Sequence, residues 1–351
     1  MAYISFQPSD FFNTILYTGD GTSDQDVTGV GFQPDWVWLK ARSQGYNHRL
    51  YDSSRGVLKN LQSNSDAAEA TATNGLISFD TDGFSVSQGG DEYNRNGETY
   101  VGWNWKANGG TTSSNTDGSI TSTVQANTTS GFSIVQYTGT GSNATVGHGL
   151  GVKPKVIIVK EREITKNWGV FHDAMGATKY LKLNTTDAAI TATDVWNSTN
   201  PTSSVFSIGN ASTSNPEGRT MIAYCFAEIK GFSHFGSLSY TGNGSSDGPF
   251  IYTGFRPGFV IIKRIDSTGG AEWVIQDCKR RTFNPVNVSL YPNLSNAEAT
   301  GETFRVQDFC SNGFKIRSST DQFNGNGASY ISMAFAEFPL IGSNGQVGTA
   351  R

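Results

Sequence analysis

One stretch of this sequence is written three times, and a chain that repeats itself at long intervals is bound to build a similar unit at each copy. Tyr17-Thr18-Gly19-Asp20-Gly21 returns as Tyr137-Thr138-Gly139-Thr140-Gly141 and as Tyr240-Thr241-Gly242-Asn243-Gly244. A second phrase follows each: Gly31-Phe32-Gln33-Pro34-Asp35-Trp36-Val37-Trp38-Leu39-Lys40, then Val152-Lys153-Pro154-Lys155-Val156-Ile157-Ile158-Val159-Lys160, then Gly254-Phe255-Arg256-Pro257-Gly258-Phe259-Val260-Ile261-Ile262-Lys263. Lys40, Lys160 and Lys263 are 120 and 103 residues apart, the same intervals as the Tyr-Thr-Gly starts, so the register holds across each copy. The third phrase is Tyr100-Val101-Gly102-Trp103-Asn104-Trp105, matched by Met221-Ile222-Ala223-Tyr224-Cys225-Phe226 and by Tyr330-Ile331-Ser332-Met333-Ala334-Phe335.

These phrases read as strands. Proline fixes φ just ahead of a β-branched or aromatic run, and the run is apolar at every position rather than at alternate ones, so both faces should be buried. The third phrase alternates large and small residues, as facing sheets require. Asp82-Gly83 and Asn312-Gly313 supply the positive φ of tight hairpins. Helix signals amount to single turns at Asp66–Ala70, Asp187–Ala189 and Asn296–Ala299. The fold expected is all-β: three tandem antiparallel β-sandwich repeats of jelly-roll, lectin-like type, spanning 12–108, 128–230 and 231–340. Residues 1–11 fall outside the repeats as an attachment segment, 109–127 reads as a Gly/Ser/Thr linker, and 341–351 as a loose tail.

Composition narrows the function. Charged residues are 16% of the chain, against ~25% in ordinary globular proteins, and the formal charge is -4. No basic field exists to collect nucleic acid, and no apolar run is long enough for membrane insertion. Met1-Ala2-Tyr3-Ile4-Ser5 lacks the basic and apolar regions of a secretory signal, which gives the expectation of folding in a cytoplasm.

The chemistry-bearing residues do not assemble into a recurring site. Asp52, Asp173 and Asp277 follow the three lysines, but the paired carboxylates of a glycosidase do not recur with them. His48, His148, His172 and His234 fall in different contexts, without a metal or nucleophile motif. Cys225, Cys278 and Cys310 lack ligand spacing, so neither a metal site nor a cofactor is expected. Asp20, Asp24 and Asp26 with Asn243 and Asp247 resemble a calcium turn, but the second copy has no carboxylate there, and an Asx turn is the simpler reading. Trp196, Tyr93, Tyr291 and Phe323 sit in loop contexts and are the candidate contacts for a partner or glycan. Phe6, Phe11 and Phe12 are the candidate attachment residues.

The wording Ile4-Ser5-Phe6-Gln7-Pro8-Ser9-Asp10-Phe11-Phe12-Asn13-Thr14, Asn127-Thr128-Thr129-Ser130-Gly131-Phe132-Ser133-Ile134-Val135, Gly147-His148-Gly149-Leu150 and Tyr330 through Pro339 resembles a family of tandem-repeat proteins of unassigned function in marine bacteriophages. The resemblance covers nearly the whole chain and carries no catalytic or ligand residues. It implies a virion structural protein of the tail or fibre type. The expectation is therefore a non-enzymatic particle component that contributes to host attachment: a tail fibre, tail-tip or adaptor-like subunit. A capsid-surface decoration or fibre protein and a carbohydrate-binding receptor adhesin are the alternatives. Its partners would be other phage structural proteins, further copies of itself and a host surface glycan.

Overall fold

A computed structural model describes residues 6–88, 92–236, 238–267 and 271–338. Nearly all regular structure among them is strand, arranged in several antiparallel sheets. The tail 341–351 and the first five residues of the N-terminal segment lie outside the described residues.

Three large sheets share one strand order. In the first, Phe12–Thr18, Thr99–Trp105, Trp36–Ala41 and Arg49–Asp52 lie side by side. The second has Phe132–Thr138, Thr220–Ala227, Pro154–Glu161 and Gly169–His172 in the same places. In the third, Tyr240–Thr241, Ser329–Ala336, Pro257–Arg264 and Val274–Asp277 do so. The register recurs as well: Trp36 faces Trp105 and Asp52, Val156 faces Phe226 and His172, and Phe259 faces Phe335 and Asp277.

Each large sheet is accompanied by a small one. Gln25–Thr28, Gly83–Val86 and Leu76–Asp80 form the first; Ala144–Gly147 and Val205–Ile208 the second; Phe250–Tyr252, Gly313–Ile316 and Gln307–Cys310 the third. Val37, Leu39 and Phe84 share one apolar cluster, Ile157, Val159 and Phe206 another, and Val260, Ile262 and Phe314 a third. The opposite faces of the same strands supply a single cluster common to all three: Trp36, Trp38, Trp103 and Trp105 with Val156, Tyr224, Phe226, Phe259 and Phe335. This is why the central strands are apolar at every position. Side chains alternate between two cores, and neither face meets water.

After its first residue, the third phrase turns large side chains such as Trp103, Tyr224 and Met333 to the common core, and small ones such as Ala223, Cys225 and Ala334 to the small sheet. At Gly102 an added Cβ would stand 3.2 Å from both Leu39 and Phe84, so the alternation read in the sequence sets the spacing between layers. Around the common core the rings close a circuit: Trp36 stacks on Tyr224 at 4.4 Å, Trp105 meets Phe335 at 5.8 Å, and Phe226 meets Phe335 at 6.0 Å.

Two expectations are corrected. The segment 109–127 is not a loose linker, because Ser113–Asn115 and Ser122–Asn127 extend the second large sheet. Its entry is fixed by the buried Asp35 carboxylate, which accepts from the amides of Ala107, Gly109 and Gly110, and by Gln125. The three Ala-rich stretches form no helical turn either. They run extended, with Ala70 pairing Asn60 and Ala299 bridging Ser289, and give amides to the neighbouring sheet: Glu69 to Arg162, Ala189 to Ile265 and Glu298 to Arg42. An inter-sheet hydrogen bond there displaces the intrahelical one that propensity alone favours. The described helical turns are Pro8–Asp10, Asp173–Met175 and Asp321–Asn324.

Candidate functional site

The recurring polar residues converge on the three seams where one large sheet meets the next. Register makes Asp52, His172 and Asp277 equivalent, and Asp173 lies one residue beyond the recurring position. Asp173 instead pairs with Lys153 at 2.5 Å. Across the first seam Tyr224 donates to Asp52 at 2.7 Å, and across the third Trp103 donates to Asp277 at 3.1 Å. His172 lies within 3.3 Å of the Ser332 carbonyl at the second.

Each aspartate is also held by an arginine three residues further along. Arg55 reaches Asp52, and Arg280 reaches Asp277 at 2.6 Å, through Nε in both cases. The guanidiniums then extend to Glu69 at 2.9 Å and to Glu298 at 3.1 Å, which in turn bind Arg162 and Arg42 from the adjacent sheets. Burial pushes the Glu69 carboxyl up, and Arg162 and Arg55 more than offset it, holding it below its ordinary value. The second seam has no such network at the equivalent positions. Met175 stands where the others have arginine, and Ile265 and Ala189 stand where they have Arg and Glu. Burial pushes His172 down to about 4, so it is neutral there at pH 7.

A second ring of contacts recurs at one position per sheet. Trp168 Nε1 donates to the Gln62 carbonyl at 2.8 Å, and Trp273 Nε1 to that of Lys182 at 3.0 Å. His48 occupies the equivalent place. Its Nδ1 accepts from Trp38 at 2.8 Å, which puts its hydrogen on Nε2, 2.9 Å from the Tyr291 carbonyl. The three strand-ending lysines are fully buried. Lys160 donates to Asp66 and Glu161 carbonyls, Lys263 to those of Thr186 and Ala271, and Lys40 to those of Ala41 and Gln44. Burial lowers Lys40 to about 7 and the other two to about 8.

The Asp-rich turn is an Asx turn closed by a buried asparagine. Asn94 accepts from the Asp20 amide at 2.9 Å, Asn215 from Thr140 at 2.6 Å and Asn324 from Asn243 at 2.7 Å. No cluster of metal-ligating residues occurs among the described residues. These asparagines went unnoticed in the sequence, although Asn94, Asn215 and Asn324 each open an Asn-x-x-Gly-x-Ser/Thr phrase ahead of the third strand. His148 is a loop closure, accepting from the Leu150 amide, and His234 pairs with Glu228 at 3.2 Å.

The candidate contact residues are not on the surface. Trp196, Tyr93, Tyr291 and Phe323 are all buried. Polar flanking sequence suggested exposure, but each ring fills the apolar layer beside a small sheet. Tyr93 also walls a shallow cleft of about 410 Å³ with Arg49, Asn60 and Glu92, where Arg49 already bonds Asn60 and Glu92. Phe6 and Phe11 pack on Phe232 at 5.5 and 6.4 Å, and Phe12 stacks on Phe335 at 5.0 Å. Those rings are engaged with their own chain. The large apolar side chains that do face solvent include Phe250, Tyr252, Phe283 and Phe304, all in the third section.

The architecture defines an almost all-β protein whose antiparallel sheets are joined by buried polar seams. It belongs to the family defined by a domain of unknown function, DUF7483, which matches residues 7–339 and so takes in all three copies of the phrases as one unit. No curated protein and no solved structure matches the chain.

Proposed function

We propose that this is a non-enzymatic structural subunit of a bacteriophage particle, made of three tandem β-sandwich repeats closed into one body. Each large sheet and its small sheet form one sandwich, in the divisions 12–108, 128–230 and 231–340. The observation that carries this reading is the use made of the recurring polar residues: Asp52, His172, Asp277, His48, Trp168 and Trp273 all bond across seams. Groups that an enzyme would present to substrate are spent here on joining sheets. The resemblance to tandem-repeat proteins of marine phages supports a tail fibre, tail-tip or adaptor-like place that contributes to host attachment. A capsid-surface decoration or fibre protein is the second location the same architecture serves.

The partners in this reading are other phage structural proteins and further copies of the chain, assembled in the host cytoplasm. Mass spectrometry of purified virions should find the chain in stoichiometric amount, and immunogold labelling should place it on the tail. Its absence from washed particles would overturn the reading; label over the capsid would select the second location.

A further inference from the structure

The third small sheet carries an aromatic surface that the other two lack. Phe250 and Tyr252 are 44% and 62% exposed on an edge strand, while Ile251 between them packs in the third apolar cluster. Strand alternation therefore sends both rings to the outer face. At the equivalent places the first small sheet has Asp26 and Thr28, and the second has Thr145 and Gly147. Gly313 lies opposite Tyr252, and a Cβ there would stand 2.7 Å from Cζ of Phe250. The Phe250 ring thus lies across bare backbone beside Tyr252. At the far edge, Asn284 bonds the Phe309 backbone both ways and brings the exposed Phe283 to the same sheet.

Charged side chains frame the rings. Lys315, opposite Phe250, pairs with Asp247 at 2.8 Å, and Arg317 pairs with Asp308 at 2.6 Å and lies 3.7 Å from Asp247. Two acids balance two bases, so the frame offers hydrogen-bond donors and acceptors without a net field. The two adjacent rings expose on the order of 200 Å², less than the contiguous apolar patches of more than a few hundred Å² that mark protein–protein contacts. That area suits one face of a sugar ring, whose hydroxyls the charged frame can bond bidentately.

We propose that Phe250 and Tyr252 form a carbohydrate-binding platform for a neutral polysaccharide, with Asp247, Lys315 and Arg317 bonding its hydroxyl groups. This rests on the particle-subunit reading, as the surface through which such a subunit meets a host glycan. The test is affinity electrophoresis of the full chain through native gels containing soluble α-glucan, β-glucan, mannan or galactan. Retardation by at least one polymer is expected, weakened about tenfold or more in the double variant Phe250→Ala, Tyr252→Ala. Phe338→Ala, an exposed ring elsewhere, should leave it unchanged. An unaltered urea midpoint in the double variant separates lost binding from lost folding. No retardation by any of the four polymers, or retardation untouched by the double variant, overturns the proposal. So does a sedimentation profile in which the double variant turns a dimer into a monomer, since the face would then be a contact between copies. The gels use isolated protein, so their failure leaves the virion result standing, and the reverse also holds.

Discussion

Tyr224 gives its phenol hydrogen to the Asp52 carboxylate at 2.7 Å, across the seam between the first and second large sheets, and neither Asp52 nor Arg55 beside it exposes any side-chain area. The seam is thus held by a charge that could not be buried without its partner. Removing that partner alone, with Arg55→Met, should cost about 3–5 kcal/mol. The second seam shows the alternative solution, with His172 and Met175 at the same two positions. Adding Asp52→His to Arg55→Met copies that neutral pair, and the double variant should recover most of the loss. Urea midpoints at pH 7 check this; a double variant as unstable as the single one would show that the two seams are not interchangeable.

Stability should rise with pH from about 4 to about 9. The folded His172 titrates at about 4 against 6.5 for the free side chain, so between those values the unfolded chain binds more protons and raising the pH favours the fold. Lys40 at about 7, and Lys160 and Lys263 at about 8, against 10.5 unfolded, extend the same sign upward, each by up to about 1.4 kcal/mol per pH unit. Above pH 9 the buried thiols of Cys225 and Cys278, both pushed up by burial, oppose the lysines, because the unfolded thiols ionise first. Above pH 10 the raised Tyr17, Tyr137 and Tyr240 add to that opposition. Thermal midpoints across pH 4–11 should therefore peak between about 9 and 10, and Lys40→Met should flatten the rise between 7 and 8. A midpoint falling from pH 7 to 8.5 contradicts the buried lysines.

Much of this was legible from the repeated phrases. Lys40, Lys160 and Lys263 marked the register, and the unbroken apolar runs before them announced burial on both faces, which the common core accounts for. What stayed hidden was anything decided between copies. Ala-rich sequence at 66–70 favours a helical turn, and its extended course is explained by bonds to the adjacent sheet, from the Glu69 amide to Arg162 and from the Lys166 amide to Asp66, and by the pairing of Ala70 with Asn60. Trp196 and Phe323 look like loop-tip aromatics because their flanks are polar, yet each caps an apolar layer whose other wall lies far away in sequence. The contrast at Phe250 and Tyr252 was available: aligning Asp26, Thr145 and Phe250 by the repeat shows one copy departing from a polar pattern.

Asn324 should be among the most sensitive polar positions in the third section. Its Nδ2 donates to Asn243 Oδ1 and to the carbonyls of Ser245 and Ser318, while its Oδ1 accepts from the Asn243 amide. Asn324→Ala strands the carbonyl of the buried Ser318 and removes three part-buried bonds to the turn, and is expected to cost about 1–3 kcal/mol. Asn94→Ala and Asn215→Ala should behave alike, since both residues are fully buried and close equivalent turns. Chemical denaturation of the three single variants checks the trend, and a change under about 0.5 kcal/mol, the surface-substitution range, would show that solvent satisfies the turn as well as asparagine does.

The N-terminal segment can be tested for two roles at once. Phe6 and Phe11 meet edge to face at 4.8 Å and together cover Phe232, which is 1% exposed and itself packs on Phe335 of the common core. Removing residues 1–11 leaves the first sheet intact from Phe12 onward, so the truncated chain should fold, but it bares one face of Phe232. The cost should be about 2–4 kcal/mol, the scale of lost burial for two partly covered aromatic rings. Binding of an apolar dye should rise with it. Phe6→Ala with Phe11→Ala in the full chain should reproduce the loss if packing is the cause. If the truncation instead leaves the urea midpoint unchanged and abolishes incorporation into particles, the segment serves attachment and its packing on Phe232 contributes nothing to the fold.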